Sequence, residues 1–169
     1  IIGNFHGLSI DSRTIKKDNL FLTIRGKNND GSKFIPTVLK KGIKFIISSK
    51  KIHKFKKKVI KVDDEIKFLN YFAHRKRDLT NAKIFAITGS AGKTSLKNLI
   101  TDLLNNFGAT FSSPKSFNNH LGVPLSLSQL KTEHKYGVFE VGMSKQGEIN
   151  KLSKLIRPHI CCLLYTSPS

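Results

Sequence analysis

Three observations predict an α/β fold for this chain. Short β-rich runs alternate with helical stretches along its length, and the order strand, helix, strand, helix indicates a parallel sheet. A glycine-rich turn joins an apolar run to an amphipathic stretch. The 38% hydrophobic content of the 169 residues is sufficient for a core. We therefore predict a small N-terminal α/β domain at residues 1–80 and a parallel-sheet domain at 81–161.

The N-terminal domain is expected to contain short strands and two helices. The β-rich runs predict strands at 20–24, 44–48 and 59–62. The stretch KFIPTVLKKG predicts a helix that ends at Gly42. A longer helix is predicted within 63–79, because acidic residues open this segment, basic residues close it and apolar side chains fall on one side.

The second domain begins with a predicted strand, IFAIT, at 84–88. The helix after it ends at Gly108, and the spacing of its apolar residues places them on one face: Leu96, Leu99, Ile100, Leu103, Leu104 and Phe107. A buried strand is predicted at 138–142. The stretch EINKLSKLI predicts a further helix, which Pro158 stops.

Composition narrows the classes of function. The formal charge of +19 would suit a protein that binds nucleic acid. However, the basic residues are mostly scattered lysines with one dense run near 50–58, and arginines do not alternate with aromatic residues as they do on a base-stacking surface. We therefore expect no nucleic-acid partner. No apolar run reaches the roughly 20 residues of a membrane span, and a secretion signal is not evident, so a cytoplasmic protein is expected. The two cysteines are adjacent, which suggests neither a disulfide framework nor a zinc site.

The stretch AITGSAGKTS at 86–95 is a candidate phosphate-binding loop. A glycine turn between a strand and a helix N-terminus presents backbone N–H groups to an anion. Lys93 adds a cation and Thr94 a hydroxyl suited to magnesium. The loop is shorter than the general G-x-x-x-x-G-K-[ST] pattern, because Ile87 occupies the position of the first glycine. The alternative is a structural turn with an exposed lysine.

Glu140 lies inside the apolar run VFEVG, where an unpaired carboxylate would be costly to bury. The carboxyl ends of parallel strands meet at one edge of a sheet, so Glu140 could reach a magnesium ion beside the phosphate loop. Pairing with a lysine at the strand end is the alternative.

Four segments of the chain, taken together and in their order, resemble the ATP-dependent Mur ligases of peptidoglycan synthesis. The segments are SIDSRTIKKDNLFLTIRGKNNDGSKFI, AITGSAGKTS, SFNNHLGVPLSL and FEVGMSKQGEINKLSKLIRPHI. The resemblance covers the chain to about Ile160. The resemblance implies an N-terminal domain that binds a UDP-linked substrate, followed by the first half of the family's central domain. The elements at 118–124 and 142–149 resemble the branch that adds D-alanyl-D-alanine to UDP-N-acetylmuramoyl-tripeptide. The branch that adds a diamino acid to the dipeptide is the alternative within the family. Outside it, the alternatives are a basic nucleic-acid-binding protein with a phosphate loop and a nonfunctional remnant.

In this family ATP phosphorylates the peptide carboxylate, and the incoming amine attacks the acyl phosphate. The resemblance implies ATP and Mg²⁺ as cofactors and a monomer as the state of the protein. It implies an ATP site made of Gly89, Ser90, Ala91, Gly92, Lys93, Thr94, Ser95, Asn118 and Asn119. Lys93 and Glu140 would be catalytic, and Thr94 and Glu140 would face the metal. Which of the two asparagines points inward stays open, and His120 is expected to be incidental because the sequence suggests no carboxylate near it.

The resemblance also implies a pocket for the UDP part of the substrate, shaped by Ser12, Arg13, Asn29, Asp30 and Gly31. The alternative is that residues 11–13 form a turn with their own ion pair and that NNDG is a turn by its chemistry alone. Ser32 stands where many relatives carry a histidine.

At the carboxyl end the chain departs from the family. Relatives continue with a further strand, a carbamylated lysine and a C-terminal domain, whereas this sequence runs CCLLYTSPS. We expect residues 162–169 to be non-native, and the chain to be a fragment that is poorly soluble and unable to catalyse ligation.

Overall fold

A computed structural model of the chain describes residues 5–26, 30–114, 117–143 and 146–165. It divides into two compact units, Ile1–Phe72 and Ala73–Ser169. Each unit contains a four-stranded sheet whose neighbouring strands are parallel, so the predicted α/β class is confirmed. Within the described ranges, none of the helices combines the length and apolar character that crossing a membrane requires.

The first unit has the strand order β1-β2-β3-β4. Its strands are β1 Gly7–Ser9, β2 Asn19–Leu22, β3 Ile46–Ser48 and β4 Val59–Lys61. Helix α1 is Ile35–Lys40, and α2, Glu65–Asp78, begins in this unit. Gly42 has φ +83°, which explains why the chain turns away after α1. The core includes Phe21, Val38 and Ile46, all fully buried. The sequence missed β1 because Leu8 is the one apolar side chain among its three residues.

The second unit has the strand order β6-β7-β5-β8. Its elements are β5 Lys83–Gly89, α3 Lys93–Asn105, β6 Thr110–Ser112, α4 Gly122–Ser128, β7 Tyr136–Glu140, α5 Glu148–Ile156 and β8 Ile160–Leu164. Strand β5 lies between β7 and β8, which puts the loop after β5 in the middle of the sheet edge. Strand β8 includes residues 162–164; the non-native origin expected for 162–169 stays a prediction.

The predicted apolar face of α3 is only partly buried. Leu96, Ile100 and Leu104 are half-buried, and Lys97, between them, is 3% exposed. Leu99, Leu103 and Phe107 stay exposed, at 67%, 58% and 63%. The apolar face of α3 is wider than the surface with which α3 contacts strands β5, β6 and β7. Half of its apolar side chains therefore remain outside the core.

The division between the two units falls inside α2, between Phe72 and Ala73. The domain boundary expected at 80/81 stays a prediction. The end of α2 belongs to the second unit because Arg77 Nε donates to the Ile156 carbonyl at 2.7 Å and Arg77 Nη2 donates to the Arg157 carbonyl at 3.0 Å. The first carbonyl belongs to the last residue of α5 and the second to its C-cap residue, at a helix end where carbonyls lack helical partners. Burial lowers the pKa of the Arg77 guanidinium.

Candidate functional site

The phosphate loop connects β5 to α3 and bends at two glycines. Gly89 has φ +140° and Gly92 has φ +75°, values in the left-handed region where side chains other than glycine are strained. Lys93, the first residue of α3, folds back over the loop, where its Nζ donates to the Gly89 carbonyl at 2.7 Å and the Ser90 carbonyl at 3.2 Å. Residues 89–93 therefore bring a lysine ammonium and a helix N-terminus together, and both favour an anion.

Glu140 ends β7 and is 2% exposed. Its position opposite Ile87 of β5 brings the carboxylate beside the loop. Its Oε2 accepts a hydrogen bond from Thr94 Oγ1 at 2.7 Å, and its Oε1 accepts one from Asn118 Nδ2 at 2.7 Å. A hydroxyl and an amide, rather than the lysine of the alternative interpretation, thus solvate the buried carboxylate.

The two neighbouring asparagines have different partners. Asn118 faces Glu140, whereas Asn119 Oδ1 accepts from the backbone N–H groups of Leu121 at 3.1 Å and Gly122 at 2.9 Å, at the start of α4. Gly142 makes room for Asn118, since a Cβ at Gly142 would lie 3.0 Å from the Asn118 side chain. The question that the sequence left open is answered by geometry: Asn118 points into the site.

Ser113 and Lys97, which the sequence did not indicate, fix the backbone of Glu140 through hydrogen bonds. Ser113 Oγ accepts from the Glu140 backbone N–H at 3.1 Å, and Lys97 Nζ donates to the Ser113 carbonyl at 2.8 Å. The signal available in the sequence was a lysine within the apolar stripe of α3, one turn after Lys93. This chain of contacts connects α3, the end of β6 and the end of β7.

His120 has a carboxylate neighbour that the sequence did not reveal. Glu148 Oε1 accepts from the His120 backbone N–H at 3.2 Å and lies 3.7 Å from His120 Nδ1. The premise that no carboxylate lies near this histidine is therefore wrong, because the partner is 28 residues away along the chain.

The predicted substrate residues of the first unit follow β1 and β2. Ser12 is 8% exposed. Arg13 forms a two-bond pair with Asp11, Nε to Oδ1 at 2.9 Å and Nη2 to Oδ2 at 2.8 Å. Hydrogen bonds from Arg13 lower the pKa of Asp11 to about 2. The turn with its own ion pair, which was the alternative for residues 11–13, is thus present.

The second half of that predicted pocket is a capped turn. Asp30 Oδ1 accepts from Ser32 N at 3.0 Å and from Ser32 Oγ at 2.7 Å, and Lys50 pairs with Asp30 Oδ2. The Lys50 ammonium, and then the Ser32 hydrogen bonds, hold the pKa of Asp30 well below its usual range. A Cβ at Gly31 would lie 2.9 Å from the Ile24 carbonyl, so only glycine fits. Asn29 lies outside the described residues.

Comparison with known proteins gives matches along most of the chain. A family described as "Mur ligase family, catalytic domain" matches residues 4–77, and one described as "Mur ligase middle domain" matches residues 87–168.

Curated and solved relatives agree with these families. Proteins named UDP-N-acetylmuramoyl-tripeptide--D-alanyl-D-alanine ligase from Rickettsia prowazekii and from Buchnera aphidicola of Acyrthosiphon pisum are 36% and 41% identical, over 95% and 89% of this chain. The chain spans only 36% and 33% of their lengths. The crystal structure of the MurF ligase of Thermotoga maritima in complex with ADP superposes with a TM-score of 0.80 at 27% identity, over 97% of this chain and 38% of that one.

Proposed function

Because this chain belongs to the Mur ligase family, we propose that it contains the ATP site of a ligase that adds D-alanyl-D-alanine to UDP-N-acetylmuramoyl-tripeptide. The observation that carries the proposal is the buried Glu140 carboxylate, held between Thr94 of the phosphate-loop helix and Asn118. The relatives named for this activity are longer than the chain, so the activity is proposed for the whole ligase.

The residues around Glu140 suit magnesium. Magnesium prefers oxygen ligands and usually combines one or two carboxylates with substrate phosphates and water. Glu140 supplies a carboxylate and Thr94 a hydroxyl oxygen 2.7 Å from it. Groups of three or more His, Cys, Asp or Glu side chains able to hold a metal do not occur in the described part of the chain, which fits an ion held jointly with a nucleotide. When bound, the ion would neutralise phosphate charge.

The chemical problem is the repulsion between a polyphosphate and a carboxylate that must approach each other. The N–H groups of residues 89–95 would cradle the nucleotide phosphates, and Lys93 would exchange its loop carbonyls for phosphate oxygens. The peptide carboxylate oxygen then attacks the γ-phosphorus, ADP leaves, and an acyl phosphate forms. The amine of D-alanyl-D-alanine attacks the acyl carbon, phosphate leaves, and a proton is lost from nitrogen. Fixed approach geometry supplies much of the rate.

The N-terminal unit is proposed to hold the UDP part of the substrate through Ser12, Arg13, Asn29, Asp30 and Gly31. Arg13 is suited to pyrophosphate because its side chain is 86% exposed and a guanidinium binds phosphate oxygens in pairs. To do so, it must exchange Asp11 for the ligand. A monomeric state and a cytoplasmic location belong to the same proposal.

Nucleotide binding tests the site in this chain. Titration with a fluorescent ADP analogue in the presence of Mg²⁺ should show saturable binding, and Lys93→Ala should weaken it by at least about tenfold, or 1.4 kcal/mol. Lys154→Ala, which removes an exposed lysine of α5, is the matched control. Equal affinity of both variants would remove Lys93 from the site.

The activity is tested in the protein translated from the full reading frame. Phosphate release from ATP should require both UDP-N-acetylmuramoyl-tripeptide and D-alanyl-D-alanine. Release that instead requires the dipeptide and a diamino acid would assign the protein to the other branch of the family.

A further inference from the structure

The lysine-rich run between β3 and β4 encloses a cavity that the proposed ligase reaction does not use. The cavity has a volume of about 430 Å³. The residues that line it are Lys50, Lys51, Ile52, His53, Lys56, Val59 and Lys61. Four lysines and a histidine therefore converge on one concavity, and its lining contains no carboxylate.

The cavity is anchored to the fold through its apolar wall. Ile52 and Val59, together with Phe55, pack against the core of the first unit. Lys56 and Lys61 are exposed, so their ammonium groups stay hydrated while the apolar wall is fixed. Small-molecule sites typically combine an apolar lining with a few charged groups in about 300–1,000 Å³.

We propose that this cavity, defined by residues 50–61, binds a small phosphorylated molecule. Like charges held together are relieved by an anion, and the several anionic oxygens of a small phosphate-bearing ligand can pair with more than one ammonium group in one concavity. A nucleic-acid surface is disfavoured because the lining has neither an arginine nor a Phe, Tyr or Trp side chain for stacking. A membrane surface is disfavoured because the lysines line a concavity rather than a flat face.

The cavity lining shares no residue with the loop at 89–95 or with the five residues of the proposed UDP pocket. One ion pair joins the two regions. Lys50 pairs with Asp30, and it is therefore left unchanged in the test. The test of ligase activity and the test of ligand binding at the cavity can therefore give different outcomes.

The test measures binding of inorganic pyrophosphate to the full 169-residue chain by calorimetry. All proteins carry Lys93→Ala and Arg13→Gln, which remove the phosphate-loop lysine and the guanidinium proposed to bind pyrophosphate as competing sites. The double variant Lys56→Ala/Lys61→Ala is compared with Lys40→Ala/Lys44→Ala, which removes two exposed lysines of the same unit away from the cavity. We expect the first pair to weaken binding at least about tenfold and the control pair less than about twofold. In the parent, the His53 ring resonances should shift on titration, a readout that holds even if a variant unfolds.

Three results would overturn the proposal. Equal weakening by both pairs would assign binding to diffuse surface charge. Absence of saturable pyrophosphate binding, with unmoved His53 resonances, would exclude a site. Binding of single-stranded RNA or phosphatidylglycerol vesicles that depends on Lys56 and Lys61, without pyrophosphate binding, would reassign the cavity to a macromolecular partner.

Discussion

The substitution Glu140→Gln separates the proposed metal-binding role of Glu140 from its structural role. Glutamine has the same shape, so its carbonyl oxygen can accept from Asn118 Nδ2 as Oε1 does at 2.7 Å. The Thr94 hydroxyl, which donates to Oε2 in the parent, can rotate and accept from the glutamine NH₂ group. Both hydrogen bonds survive, and only the negative charge is lost.

The expected change in stability follows from two opposing contributions. A hydrogen bond to a charged group contributes about 1.5–3 kcal/mol and a neutral one about 0.5–1.5 kcal/mol, so two weakened bonds cost about 2 kcal/mol. Removing the carboxylate from a position that is 2% exposed relieves its desolvation penalty, which offsets that cost. The free energy of unfolding should therefore change by less than about 2 kcal/mol. Glu140→Leu, by contrast, leaves Asn118 Nδ2 without this acceptor, whereas the exposed Thr94 can turn its hydroxyl to water, and it should cost about 1–3 kcal/mol.

The effect on metal-dependent binding should be larger. Two unit charges about 4 Å apart interact by roughly 4 kcal/mol at an effective dielectric constant near 20, so losing a carboxylate beside a divalent ion should reduce the Mg²⁺-dependent gain in ADP affinity at least tenfold (about 1.4 kcal/mol).

The assay is fluorescence titration of an ADP analogue with Mg²⁺ and with EDTA, beside urea unfolding of each variant. If Mg²⁺ increases the ADP affinity of the Glu140→Gln protein to within about twofold of the increase in the parent, a metal role for Glu140 is refuted. A Glu140→Leu protein as stable as Glu140→Gln would refute the hydrogen-bond account.

Two further predictions concern other parts of the chain. Arg77→Ala should destabilise the second unit by about 3 kcal/mol, because it strands the Ile156 and Arg157 carbonyls; urea unfolding measures this, and Arg75→Ala, at an exposed ion pair, should cost less than about 1 kcal/mol. Equal losses would contradict the capping role of Arg77. Since the pKa of Asp11 falls from 3.8 to about 2 in the folded chain, its pairing contributes stability above pH 3.8 that is lost as pH falls through about 2. The contribution is below about 1 kcal/mol, because the Asp11 side chain is 35% exposed. An NMR titration of the Asp11 carboxyl should give that midpoint, and Arg13→Gln should return it toward 3.8; an unchanged midpoint would remove Arg13 as the cause.

Local patterns were sufficient for much of the second unit. The run IFAIT, the glycine turn and the amphipathic stretch after it are contiguous, so periodicity and turn chemistry predicted β5, the loop and α3 together. Periodicity did not predict β6 or α4. Strand β6 contains a single apolar residue, Phe111, and so shows no alternation. Helix α4 is buried along its whole length, so it lacks the polar face that marks an amphipathic helix.

The sequence alone determined the α/β class, the glycine-rich turn between β5 and α3 and the unusual position of Glu140 in an apolar strand, because each depends on residues close together in the chain. Only the tertiary structure decided that Asn118 rather than Asn119 faces Glu140, that Glu148 approaches His120, and that Lys97 and Ser113 support the site. These contacts join residues that are 16 to 28 positions apart. Their formation depends on strand order and register, which bring separate strand ends to one edge of a parallel sheet, and local spacing does not specify that order.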